Sequence, residues 1–166
     1  MRLLTVLLAA ASLTACASTS STPVSASGYT AIEIAEGACF GTCPIYSIRI
    51  TPDDHFVLNG LRFTRHDGLS EGTLAEGAFQ RMAGILETRD ADALPASITP
   101  DNRAACGSTI MSDMASVVLT MEAGDEHQTV IWYPGCALSP YNDTMDAITE
   151  RMRVEYDYTS RIAPKR

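Results

Sequence analysis

Basic residues are scarce in this chain: 12 lysines and arginines stand against 20 aspartates and glutamates, a formal charge of −8 over 166 residues. They form no cluster, so neither nucleic acid nor an anionic lipid surface finds a matching patch, and nucleic acid is not expected as a partner. Only 3 histidines, His55, His66 and His127, are available for imidazole chemistry. There is no internal repeat, and after the N-terminal apolar stretch there is no second apolar span. Asp90, Asp92 and Asp101 lack the alternating spacing of a calcium loop and read as a solvated acidic edge. No cofactor is expected.

What is present is most specific at the start. Met1-Arg2 gives a short basic opening, Leu3 to Ala11 are apolar, and Leu13-Thr14-Ala15-Cys16 matches a lipobox. An apolar region of about ten residues is half of the roughly twenty needed to span a bilayer, so residues 1–15 read as a cleaved lipoprotein signal peptide and Cys16 as the lipidated first residue of the mature chain. The plainer alternative is a cysteine that falls by chance after an ordinary secretory signal. The small and polar run up to Gly28 cannot bury apolar area, so residues 16–28 are expected to be the lipidated cysteine and a disordered tether, reaching at most about 40 Å when extended. Residues 29–166 then make a single domain with an adequate core. Two or more acyl chains hold a protein stably on a membrane. Ala17, where aspartate would favour retention, points to an outer-membrane lipoprotein facing the periplasm, which touches the membrane through its lipid.

Four further cysteines remain: Cys39, Cys43, Cys106 and Cys136. An even count in an oxidising compartment is most simply two disulfides with three possible pairings. Cys39–Cys43 with Cys106–Cys136 is favoured, because the first pair bridges a turn at Gly41 and the second closes a long loop; the other pairings stay open.

Periodicity gives a coarse order of elements. Tyr29 to Glu36 and Ile45 to Thr51 alternate as strands, and Pro52-Asp53-Asp54 turns the chain into Phe56-Val57-Leu58, which reads as a hairpin. Thr73 to Glu76 fits a capping box, and Leu74, Ala78, Met82, Ile85 and Leu86 recur at helical spacing to about Thr88. Pro95 to Gly107 reads as loop. Ser116 to Met121 and Thr129 to Tyr133 flank Gly124-Asp125 as a second hairpin. A last helix starts near Ser139-Pro140, with Tyr141, Met145, Ile148, Met152 and Tyr156 on one face. The predicted class is α+β: an antiparallel sheet of two hairpins with two helices packed on one face, in the order ββ-α-ββ-α.

Residues 39–46 read Cys-Phe-Gly-Thr-Cys-Pro-Ile-Tyr. This segment resembles the hallmark Cys-Phe-Gly-x-Cys-Pro-x-Tyr of an uncharacterised bacterial lipoprotein family, domain of unknown function 6438. The likeness continues through Ile32 and Ile34, Tyr46 to Ile50, the turn at Asp53-Asp54, Gly60, the middle helix, Ser112-Asp113 and the closing helix, and so covers Tyr29 to Glu155. It departs at Asp54-His55, where an Asp-Gly turn is usual, and Cys106 and Cys136 look like additions. The resemblance implies an α+β fold and a lipoprotein or secreted protein, and no activity.

Other chemistry is weaker. A reactive dithiol usually has two intervening residues and a helix start beside it; Cys39 and Cys43 have three, and Pro44 leads into a strand pattern. Cys-x-x-x-Cys-Pro is similar to the copper motif of Sco-type chaperones, but their thioredoxin-like fold needs a helix where a strand is read. Gly68-Leu69-Ser70-Glu71-Gly72 matches a nucleophile elbow with His66 nearby, yet the strand-turn-helix context is missing. Trp132 and Tyr133 read as core or sheet-face aromatics. The sequence therefore points to a lipid-anchored envelope protein, more a non-catalytic binding or structural module than an enzyme, with an unidentified protein or small-molecule ligand. The alternative is a thiol-redox or copper-handling protein using Cys39 and Cys43 as metal or redox ligands.

Overall fold

A computed structural model describes residues 28–164. Cys16 and the signal segment lie outside the described residues, as does all of the tether but Gly28. Seven strands form one sheet in the spatial order β4-β3-β2-β1-β6-β7-β5. They are β1 (Ala31–Glu36), β2 (Ile45–Ile50), β3 (His55–Arg62), β4 (Gly68–Thr73), β5 (Ser97–Ile98), β6 (Val117–Ala123) and β7 (Glu126–Trp132). The helices are α1 (Ala78–Thr88), α2 (Arg103–Cys106), α3 (Asn142–Glu155) and α4 (Tyr158–Arg161), with a 3-10 turn at Ala91–Ala93.

This overturns the two-hairpin, two-helix expectation. The sheet has seven strands and is mixed, because β5 runs parallel to β7 while the other neighbours are antiparallel. The extra elements carry no periodic signal. β4 reads GLSEGT, mostly exposed and without apolar alternation; it forms because it completes the ladder of β3, where Gly72 lies opposite Phe56 and an added Cβ would sit 3.1 Å from the ring. β5 is two residues long inside the segment read as loop, and α2 follows it, capped by the Asn102 side chain.

The expected capping box at Thr73 also gives way. Gly77 takes φ 75°, which ends the approach to the helix, so α1 begins at Ala78. Its free N–H groups are satisfied from a distance: the Asp54 carboxylate accepts from Gly77 at 2.7 Å and Phe79 at 2.8 Å. Asp54 itself sits at φ 62° in the β2–β3 turn, a conformation that aspartate tolerates better than most residues. One residue thus makes the turn and caps the helix.

Strand alternation places Ile32, Ile34, Tyr46, Ile48, Ile50, Phe56, Leu58, Leu119, Val130 and Trp132 on one face of the sheet, all buried. Phe79, Met82 and Leu86 of α1 and Met145, Ile148 and Met152 of α3 join them in a single core. Each such side chain contributes about 1.5–3 kcal/mol by leaving water. Among the described residues no helix packs on the other face, which is partly polar and crossed by the Arg49–Glu122 ion pair at 2.7 Å and the Thr120–Thr129 hydrogen bond. No helix among the described residues is long and apolar enough to cross a membrane.

Candidate functional site

Strand period two puts Glu36 on the same face as Ile32 and Ile34, where an apolar residue is due. A buried carboxylate demands partners. Arg153 of α3 supplies two, donating from Nε to Oε1 at 2.8 Å and from Nη2 to Oε2 at 2.6 Å. Tyr46, the register partner of Glu36 on β2, donates its hydroxyl to Oε1 at 2.6 Å and shares a second 2.6 Å hydrogen bond with the Tyr156 hydroxyl. Burial first, then the neighbouring Tyr156 and Glu36, push the Tyr46 phenol far above its ordinary value; burial does the same at Tyr156. Both phenols are therefore protonated and serve as hydrogen-bonding groups. Burial alone would lower the Arg153 guanidinium, but its hydrogen bonds to Glu36 and the charge of that carboxylate hold it above its usual range.

Glu36 and Arg153 of this network line a cleft of about 690 Å³, a size typical of small-ligand pockets. One wall is the loop of Cys39, Cys43 and Pro44; another is the segment from Asp113 to Ala115 leading into β6, with Trp132 and Pro134 at the end of β7. The third wall is α3, through Asp146, Thr149, Glu150 and Arg153. These recur at i, i+3, i+4 and i+7, so they form one helical stripe beside the core stripe of Met145, Ile148 and Met152. Tyr158 of α4 also lines the cleft, with the Arg153 guanidinium 5.2 Å from its ring centre. Burial, reinforced by Asp143 and opposed by Arg153, raises the Asp146 carboxyl.

The four cysteines stand in two pairs at disulfide separation, Cys39 with Cys43 (Cα–Cα 5.8 Å) and Cys106 with Cys136 (4.8 Å). The first pair is half-buried on the cleft wall. Its loop is tied to the segment leading into β6, since the Phe40 N–H donates to the Asp113 carbonyl at 3.2 Å. The second pair is fully buried and fastens α2 to the segment after β7.

The remaining residues singled out from the sequence scatter. Ser70 lies within β4, opposite Leu58 in an antiparallel ladder, and His66 lies in the turn before it, so no strand-turn-helix elbow exists there. His55 is in β3 and His127 in β7. Among the described residues no three His, Cys, Asp or Glu side chains come together in a way that could hold a metal ion. Asp90 takes φ 53° before the 3-10 turn, Asp92 accepts a hydrogen bond from Tyr29 at 2.8 Å, and Asp101 is exposed. Trp132 is buried, donates to Asn142 at 3.1 Å, and still lines the cleft. Tyr133 is half-buried and donates its hydroxyl to the Met111 carbonyl at 2.8 Å.

Sequence reasoning missed Glu36, Arg153 and the polar stripe of α3. The available signals were an acidic residue in the apolar register of β1 and a second set of helically spaced residues on α3.

No curated protein matches the chain. The sequence model of one family, described as a domain of unknown function (DUF6438), matches residues 30–153 and so spans β1 through nearly all of α3. On that match, the chain belongs to the DUF6438 family.

Proposed function

We propose that this protein is a lipid-anchored envelope component of the outer membrane, facing the periplasm and acting without catalysis as a binding module, with the cleft as its binding surface. The proposed layout is a signal peptide over residues 1–15, a lipidated Cys16 with its tether to residue 28, and one domain over 29–166. The lipobox and tether support the anchor, and two cysteine pairs at disulfide separation suit an oxidising compartment.

The observation that carries the binding role is the cleft itself. It is the size of a ligand site, yet its most strongly held groups are committed to one another: Glu36 to Arg153 and Tyr46, and Tyr46 to Tyr156. Such a network stiffens a wall and keeps Glu36 and Tyr46 engaged with each other rather than with a substrate. A fragment screen read by chemical-shift changes tests this. Hits gathered on Trp132, Thr149 and the Cys39–Cys43 loop support the reading; hits confined to β4 around Ser70, or none, contradict it. Cys16→Ser tests the anchor separately, since the variant should leave the membrane fraction or fail to be processed, and unchanged fractionation contradicts the anchor.

A thiol-redox or copper-handling role for Cys39 and Cys43 is the second reading, favoured by their half-exposed position on the cleft wall. Copper(I) bound by the reduced protein and lost in Cys39→Ser would promote it.

A further inference from the structure

Charge in the cleft is unevenly satisfied. Arg153 is spent on Glu36, whereas Asp146 and Glu150, one turn apart on the same stripe of α3, appear in none of the ion pairs among the described residues. The Asp113 carboxylate, across the cleft, accepts one side-chain hydrogen bond among the described residues, from the neighbouring Ser112 hydroxyl at 3.0 Å. An acceptor-rich wall therefore faces an open space with its cation already engaged.

Thr149 stands between Asp146 and Glu150 in sequence and lines the same wall. It is 4% exposed, and its Oγ1 is buried with no hydrogen-bond partner in the structure. A threonine hydroxyl inside a helix ordinarily bonds back to the carbonyl four residues earlier; here it does not, and the hydroxyl is left without a partner in a residue that lines the cleft. Buried polar groups in proteins are nearly always satisfied, so an orphan lining a cavity marks the place of a missing partner.

The mouth of the cleft asks for more than a small ion. Phe40, at the tip of the Cys39–Cys43 loop, is 86% exposed, and Met114 is also exposed on the facing segment. The two segments are joined by the hydrogen bond from Phe40 to Asp113. Met114 lines the cleft and Phe40 adjoins its lining residue Cys39; exposed aromatic and methionine side chains beside a polar recess are typical of surfaces that bury a partner's side chains.

We infer that the cleft receives a lysine or arginine side chain from a partner protein, seated against Asp146, Glu150 and the Thr149 hydroxyl, while Phe40 and Met114 cover apolar residues on either side of it. This rests on the reading of the cleft as a binding surface and adds the class of ligand. The cation supplies the donors that Thr149 and the two carboxylates lack, and the rim supplies the contact area that a protein segment needs.

Trp132 is the single tryptophan of the chain and lines the cleft, so its fluorescence reports occupancy. The probes are a capped five-residue peptide with a central lysine between leucines, the same peptide with glutamine in place of lysine, and butylammonium, each titrated into the full chain. The lysine peptide should bind about tenfold more tightly than the glutamine peptide, with the preference shrinking as salt is added. Asp146→Asn with Glu150→Gln should abolish that preference. Thr149→Val, which keeps the side-chain shape, should weaken the lysine peptide about fivefold. Phe40→Ala should weaken the peptide and leave butylammonium unchanged. Equal binding of the two peptides with Trp132 responding would overturn the cation while leaving the binding cleft intact. Butylammonium binding as tightly as the peptide would overturn the protein partner. No response of Trp132 to any probe would overturn both this inference and the cleft reading beneath it.

Discussion

At the scale of single residues, the molecule turns on a few polar groups in apolar places. Glu36 is buried because β1 carries it into the core, and it is tolerable there because Arg153 and Tyr46 surround it. Arg153→Met should destabilise the fold by about 2–4 kcal/mol, below the full cost of breaking a buried pair because the Arg153 side chain is 42% exposed. Adding Glu36→Gln should recover part of that loss, since glutamine still accepts from Tyr46 without a stranded charge. Denaturant unfolding of the two variants measures both effects; an additive double variant would remove the coupling. Asp146 gives the opposite sign. Burial, Asp143 and Glu150 raise its carboxyl in the folded protein while Arg153 lowers it, so at neutral pH the ionised group costs stability, and the cost disappears once pH falls below the ordinary carboxylate range. Asp146→Asn should therefore raise Tm at pH 7 and leave it unchanged near pH 3. A loss of Tm at pH 7 would contradict this.

At the scale of elements, what could be read in the sequence was what repeats. Ile45 to Ile50, Val117 to Ala123 and the core stripe of α3 announce themselves by period two or three and a half, and the structure has elements there. β4, β5 and α2 were not legible, because none carries an apolar period of its own and each is fixed by partners outside itself. β4 leans on β3, β5 takes two residues from the flank of β7, and α2 is fixed by Asn102 and the link from Cys106 to Cys136. The start of α1 was misplaced for the same reason, its cap being Asp54, more than twenty residues upstream. The cleft was half legible: the Cys39–Cys43 loop stood out as a motif, whereas the pairing of Glu36 with Arg153 spans nearly the whole domain and leaves no local trace. The cysteine pairs differ correspondingly. Cys106–Cys136 closes a loop of 30 residues inside the core, so replacing both with alanine should cost roughly 3–4 kcal/mol. Replacing Cys39 and Cys43 should cost less, and a mild reductant should open that half-exposed pair first. Equal losses in melting temperature would contradict the ranking.

At the scale of the whole molecule, the sheet has one face buried under α1 and α3 and, among the described residues, one face without a helix on it, and its edges are poor templates for further strands. β4 is exposed and carries Glu71 among glycines, and β5 is only two residues long. Association through the edges is therefore disfavoured, and the proposed binding surface is the cleft at the end of β1, β6 and β7, which Met114 lines and Phe40 adjoins through Cys39. A tether of the proposed length would keep residue 28, where the domain begins, within about 40 Å of the membrane. The most direct test of the proposed binding role is site-specific photocrosslinking in living cells that make the protein, with the photoreactive residue at Phe40 on the cleft rim or at Glu71 on β4. A discrete adduct formed from Phe40 and lost when Asp146 and Glu150 are neutralised is the expected result; no adduct from Phe40, or the same adducts from both positions, would contradict a binding module built around this cleft.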